Sequence, residues 1–101
     1  MPREVILIPE ALRDLHEAYL WYEEQRTGLG DDFLGCFEAA LNEALKRPKL
    51  YPVRFDTFRR VLVRRFPYAI YFEHDEKTVF VHYEFHCSQH PARLSERLKE
   101  P

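Results

Sequence analysis

The chain has 101 residues, enough for one domain with a modest core, and its 46% hydrophobic and 32% charged residues fit a soluble globular protein rather than a disordered one. Its formal net charge of −2 gives no whole-chain attraction to nucleic acid or another anionic partner. The glycines, Gly28, Gly30 and Gly35, write neither a G-x-G-x-x-G nor a P-loop pattern, so no nucleotide cradle and no cofactor is expected.

In chain order, "EVILI" (Glu4 to Ile8) is a β-rich run that stops at Pro9, a residue tolerated in a first helical turn. Leu12, Leu15, Tyr19 and Tyr22 then recur at helical spacing, and Ala18 and Trp21 widen that apolar face. "TGLGDD" breaks the pattern. Gly28 suits a helix C-terminus there, and Asp31 or Asp32 can cap the next helix. That helix runs to about Arg47, turns Phe33, Phe37, Ala40, Leu41 and Ala44 inward, and is stopped by Pro48. The short link predicts an antiparallel helical hairpin.

After the loop "PKLYPVRFD" the helical period gives way to alternation. "FRRVLV" reads as a strand, "RFP" as a turn, "YAIYFEH" as a second strand, "DEK" as a turn and "TVFVHYEFH" as a third strand. Pro91 opens a short terminal helix, "PARLSERLKE". The order β–αα–βββ–α predicts an α+β fold: an antiparallel β-sheet with the helical hairpin on one face and a short C-terminal helix. The first strand is expected at the sheet edge, and residues 1–101 are expected to form a single domain.

The apolar run near the N-terminus is too short for a signal-peptide core, and no stretch reaches the roughly 20 apolar residues of a membrane span. Cys36 and Cys87 lack C-x-x-C spacing and read as reduced thiols, so a cytoplasmic protein is expected.

Charge is unevenly spread. Residues 1–50 carry ten acids against six bases, residues 51–101 seven against nine, and five arginines lie between Arg54 and Arg65 with Asp56 as their only acid. Alternation puts Arg59, Val61 and Val63 on one face of the first of these strands and Arg60, Leu62 and Arg64 on the other. The valines make the better core pair, which leaves Arg60 and Arg64 on the open face and Arg65 at the turn. Forked guanidinium donors suit carboxylate and phosphate, although arginine on an exposed strand also keeps a sheet soluble and blunts its edge.

In the last strand, Val79, Val81, Tyr83 and Phe85 alternate with Phe80, His82, Glu84 and His86. The second set would share the open face with Arg60 and Arg64. His-x-Glu-x-His there could hold a metal, supply acid–base groups through His86, or be solvated surface; no metal site is assigned. The paired acids Glu23–Glu24, Asp31–Asp32 and Asp75–Glu76 sit at helix ends or in turns, where capping and solvation explain them. Trp21 and Tyr22 read first as helix packing, with an exposed aromatic edge for a partner as the alternative.

Together "EALRDLHEAYLWYEEQRTGLGDDF", "RRVLVRRFPYAIYF" and "VFVHYEFHCSQHPARLSERL" resemble the RelE/ParE toxin superfamily of type II toxin–antitoxin systems, the plasmid stabilisation proteins, over nearly the whole chain. The resemblance implies a small α+β toxin that inhibits bacterial growth and is neutralised by a cognate antitoxin. The clustered Arg59, Arg60, Arg64 and Arg65, with Trp21 and Tyr22 as an aromatic edge, are the expected partner-binding residues. Two targets are implied. RelE-like members cut mRNA on the ribosome without metal, and here Arg60, Arg64 and His86 match their catalytic sheet-face positions. ParE-like members poison DNA gyrase. Such tails usually read His-x-x-Arg-x-Pro, whereas this one reads "HCSQHP", with Gln89 in place of the arginine. Glutamine brings no fixed positive charge to a developing phosphorane. That departure and the long "WYEEQRTGLG" hairpin favour the ParE-like branch, with a ribosome-dependent nuclease and a non-toxic binding module as alternatives.

Overall fold

The computed structural model describes residues 4–55 and 57–86, with side chains described for 4–54 and 57–82. The expected terminal helix, Cys87 and Gln89 lie outside the described residues. The elements are β1 (Glu4–Leu7), α1 (Pro9–Gln25), α2 (Leu29–Lys46), a single 3-10 turn (Pro48–Leu50), β2 (Val53–Phe55), β3 (Phe58–Leu62), β4 (Tyr68–His74) and β5 (Thr78–His86). The strands form one mixed sheet in the order β1-β5-β4-β3-β2. β1 runs parallel to β5 at one edge, while β2 to β5 form an antiparallel meander. β1 takes the expected edge position, and β2 replaces part of the expected loop.

The helical hairpin covers one face of the sheet. From α2, Phe33, Phe37, Ala40, Leu41 and Ala44 are buried, as their spacing predicts, against Val61, Ile70, Phe72, Val79 and Val81 of the strands. Phe33 is the aromatic hub, with ring centroids 5.0 Å from Tyr22, 5.3 Å from Phe66 and 5.1 Å from Tyr68. Such pairs contribute beyond the area they bury.

The inward face of α1 follows the predicted one in part: Ala18 and Tyr22 are buried and Leu15 packs against the core, but Ala11 is buried as well, while Leu12 and Trp21 are each 57% exposed. The reason is the closeness of the two helices. A Cβ built on Gly30 would lie 2.8 Å from the Tyr19 ring and 2.9 Å from the Tyr19 carbonyl oxygen, so the seam admits only small residues.

The hairpin turn also departs from expectation. α1 ends at Gln25, and Gly28, at φ 90°, is the N-cap of α2 rather than the end of α1. Neither aspartate caps: Asp31 and Asp32 lie in the first turn, where their charge meets the positive helix end. The capping acceptor is Glu23. Its carboxylate accepts from Gly28 N at 3.1 and 3.0 Å and from Gly30 N at 3.0 Å, closing the hairpin from the α1 side.

Candidate partner-binding groove

β3 carries the alternation read from the sequence. Val61 and Val63 are buried in the core, Arg60 is half-buried, and Leu62 and Arg64 are exposed. Sheet order then decides what those arginines can meet. β2 is only three residues long, so β3 is close to being an edge strand, and a groove of about 700 Å³ opens between its uncovered end and α2. Ala39, Ala40, Tyr51, Pro52, Val61 and Leu62 give it an apolar lining, and Cys36, a free half-buried cysteine, lies along the α2 side. Arg54, Arg60, Arg64 and Arg65 also line it, against the single acid Glu43. Among the described residues no ion pair holds Arg54, Arg60 or Arg64.

The arginine turn is fastened to the helical hairpin. Asp32 in the first turn of α2 lies 3.7 Å from the Arg26 guanidinium and 4.0 Å from that of Arg65. Arg65 also stands over the Phe66 ring, 5.7 Å from its centroid. Its φ of 70° puts a side-chain-bearing residue in the left-handed region, a conformation that costs roughly 1–2 kcal/mol. Arg59 points back instead: its Nη1 donates to the Tyr51 carbonyl at 2.7 Å, which ties the start of β3 to the chain before β2.

The histidines stand elsewhere. β4 separates β5 from β3, so the backbones of those two strands are about 9–10 Å apart, although the Phe58 ring of β3 reaches across to His82. His82 is the extra residue of a bulge: Tyr71 pairs with Tyr83 and Phe72 with Val81, leaving His82 unmatched. Its Nε2 lies 3.4 Å from Glu73 Oε1, and its ring meets Phe58 edge-on at 4.9 Å. The bulge interrupts the alternation from which His82 and His86 were placed on one face. The backbone of His86 pairs with Tyr68, and its side chain lies outside the described residues. His74, at the far end of β4, has a buried Nδ1 without a hydrogen-bond partner among the described residues. No cluster of three metal-ligating side chains occurs among the described residues.

Of the aromatic pair, Tyr22 is 8% exposed and packs on Phe33, Phe66 and Tyr68, so only Trp21 offers surface. Burial pushes the Tyr22 hydroxyl above its ordinary pKa. The Tyr19 hydroxyl is raised too, chiefly by the adjacent negative charge of Asp31. Both phenols are therefore neutral at ordinary pH. At the β4–β5 turn, hydrogen bonds from the Lys77 and Thr78 amides hold Asp75 below the usual carboxylate range, the signature of a turn-forming acid.

Sequence reasoning missed Arg54, Glu43 and Leu62 as groove residues. The basic spot from Arg54 to Arg65 was a usable signal, but the helix wall facing it was not, because only the tertiary fold brings α2 beside β3.

No helix among the described residues is long and apolar enough to cross a membrane. No family model and no curated protein matches the chain. A chain of the chromosomal ParDE TA system from P. aeruginosa is similar in structure, with a TM-score of 0.72 at 12% sequence identity, covering 83% of this chain and 95% of that one. The architecture described above, a helical hairpin on a five-stranded sheet, is thus the fold of a component of that toxin–antitoxin system.

Proposed function

We propose that this chain is the toxin of a type II toxin–antitoxin pair, acting in the cytoplasm in the manner of a ParE-like gyrase poison and silenced by a cognate antitoxin. The observation that carries this reading is the groove beside β3. Three arginines without ion pairs among the described residues line an apolar cleft on the fold shared with the ParDE chain. A surface built this way suits a macromolecular partner better than a small substrate: the arginines provide forked donors for carboxylate or phosphate, and the cleft provides apolar area. Arg59, held by the Tyr51 carbonyl, has a structural role in this reading, while Arg60, Arg64, Arg65 and Trp21 meet partners.

A second reading, the ribosome-dependent mRNA nuclease, draws on the His82–Glu73 pair, which could supply a proton acceptor on the open face. His86, Arg60 and Arg64 would complete that set. The glutamine at position 89 weighs against it.

Inducible expression in a bacterial host of the parent, Arg60→Ala/Arg64→Ala and His86→Ala tests the proposal. Growth arrest by the parent and by His86→Ala, relieved in the double-arginine variant at unchanged melting temperature, is the expected pattern. Arrest abolished by His86→Ala in a folded protein favours the nuclease, and harmless expression of the parent leaves only a binding module.

A further inference from the structure

We propose that the chain forms a two-fold symmetric dimer in which β1 pairs with β1 of a second copy, antiparallel and centred on Ile6. The proposal is independent of the functional reading, because it uses the far side of the sheet from the basic groove.

β1 is the edge strand on that side, and among the described residues no strand pairs with its outer margin. Glu4 N donates to Lys77 O at 2.8 Å and Ile8 N to Val81 O at 3.1 Å. In such a ladder alternate residues, here Glu4, Ile6 and Ile8, turn both backbone groups toward β5. Val5 and Leu7 turn their N–H and C=O outward, to the free edge. Neither a proline nor a lysine within Glu4–Leu7 blunts it.

The side chains select the occupant. Val5 and Leu7 lie in register with Val79 and Val81 and pack against the core, yet they are only half-buried while both of those valines are fully buried. Ile6 alternates to the other face and is 44% exposed. A strand added here has to bring apolar residues to both faces, which an alternating polar segment does not. A second β1 does. Pairing about Ile6 sets Val5 against Leu7 of the second copy, and Leu7 against its Val5, each pair exchanging both backbone hydrogen bonds. The two Ile6 residues become the close pair between them, about 4.5 Å apart at Cα, on the open face.

Charge fixes the direction. Glu4 is the acid of this strand. Parallel pairing in register would set Glu4 against Glu4. Antiparallel pairing sets it against Ile8 and parts the two carboxylates by about 13 Å of strand, more than the screening length of about 10 Å at 0.1 M salt. The contact is isologous, so it closes at two copies, and it leaves both basic grooves free at the outer ends of the joined sheet. A strand pair this short buries less than a standard interface, and a dissociation constant on the order of 100 μM is expected.

The test is sedimentation equilibrium of the full chain between about 10 μM and about 1 mM, with residue-by-residue amide exchange at both limits. The expected result is a monomer–dimer equilibrium, with the Val5 and Leu7 amides exchanging at least roughly threefold more slowly at the upper limit, as the monomer fraction falls. The Ile6 amide, already facing β5, should not change. Ile6→Lys sets two ammonium groups face to face and should abolish the dimer at unchanged melting temperature. Leu62→Lys, at the other margin of the sheet, should leave it intact. A monomer at the upper limit, or a dimer without slowed Val5 and Leu7 exchange, overturns the proposal. So does a dimer that a folded Ile6→Lys retains or that Leu62→Lys abolishes.

Discussion

Removing the Glu23 carboxylate should loosen the helical hairpin and, through it, the arginine turn. Glu23 accepts from two amides at the start of α2, Gly28 N and Gly30 N, at 3.0–3.1 Å. These are orphan donors of a helix N-terminus, and the acceptor is charged and sits at the positive end of the helix dipole. Hydrogen bonds to a charged group contribute about 1.5–3 kcal/mol, and water can replace part of that at a half-buried site, so Glu23→Ala should cost about 2 kcal/mol. For a domain of this size that corresponds to a melting temperature lower by roughly 8–16 °C. Glu23→Gln keeps an acceptor without the charge and should fall between the two, whereas the exposed neighbour Glu24→Ala should change little. The assay is thermal unfolding of the four proteins, with chemical denaturation as a check on two-state behaviour. If Glu23→Ala melted within 2 °C of the parent, or no lower than Glu24→Ala, the reasoning would be refuted: the cap would be a contact without energetic weight.

Gly30→Ala places a methyl against the Tyr19 carbonyl; overpacking of about 1–3 kcal/mol should exceed the helix-propensity gain of up to about 1 kcal/mol, and a variant as stable as the parent would show that the hairpin can part freely. Asp75 titrates below its unfolded value of about 3.9, so its contribution is complete above that pH and is lost as pH falls through the folded value. Asp75→Asn should therefore flatten the acid limb of a stability–pH curve below about pH 4, and an unchanged limb would contradict the turn's role. Arg65→Gly relieves the left-handed strain but adds unfolded-state entropy, so stability should move by less than about 1 kcal/mol while partner affinity falls; a large loss of stability would mean that the link to Asp32 matters more than the strain.

How much of this was legible in the sequence depended on how local the cause was. The strand Tyr68–His74 and the inward face of α2 follow from short-range periodicity, and both stand where the pattern placed them. On α1 the spacing places Ala18, Tyr22 and Leu15 inward, where they stand, but also Leu12 and Trp21, which are exposed; a close helix crossing admits the small Ala11 instead, and nothing in α1 itself reveals the crossing. β2 was missed because three residues between Pro52 and the following turn carry too little alternation to register. The bulge at His82 leaves no mark in an alternating string, yet it resets the register on which the histidine face depended. For the site, the arginine cluster was visible as composition. Its separation from His82 by a whole strand and its place against α2 are consequences of strand order, which no local pattern carries.

The proposed activity is growth arrest through action of the basic groove on gyrase. The most direct test is to induce the parent protein in a bacterial host and map chromosomal DNA breaks and mRNA 5′ ends in the same cells. Gyrase-dependent DNA breaks with mRNA intact, and their loss in Arg60→Ala/Arg64→Ala, are the expected result. New mRNA 5′ ends within ribosome-bound codons, with intact DNA, would contradict it.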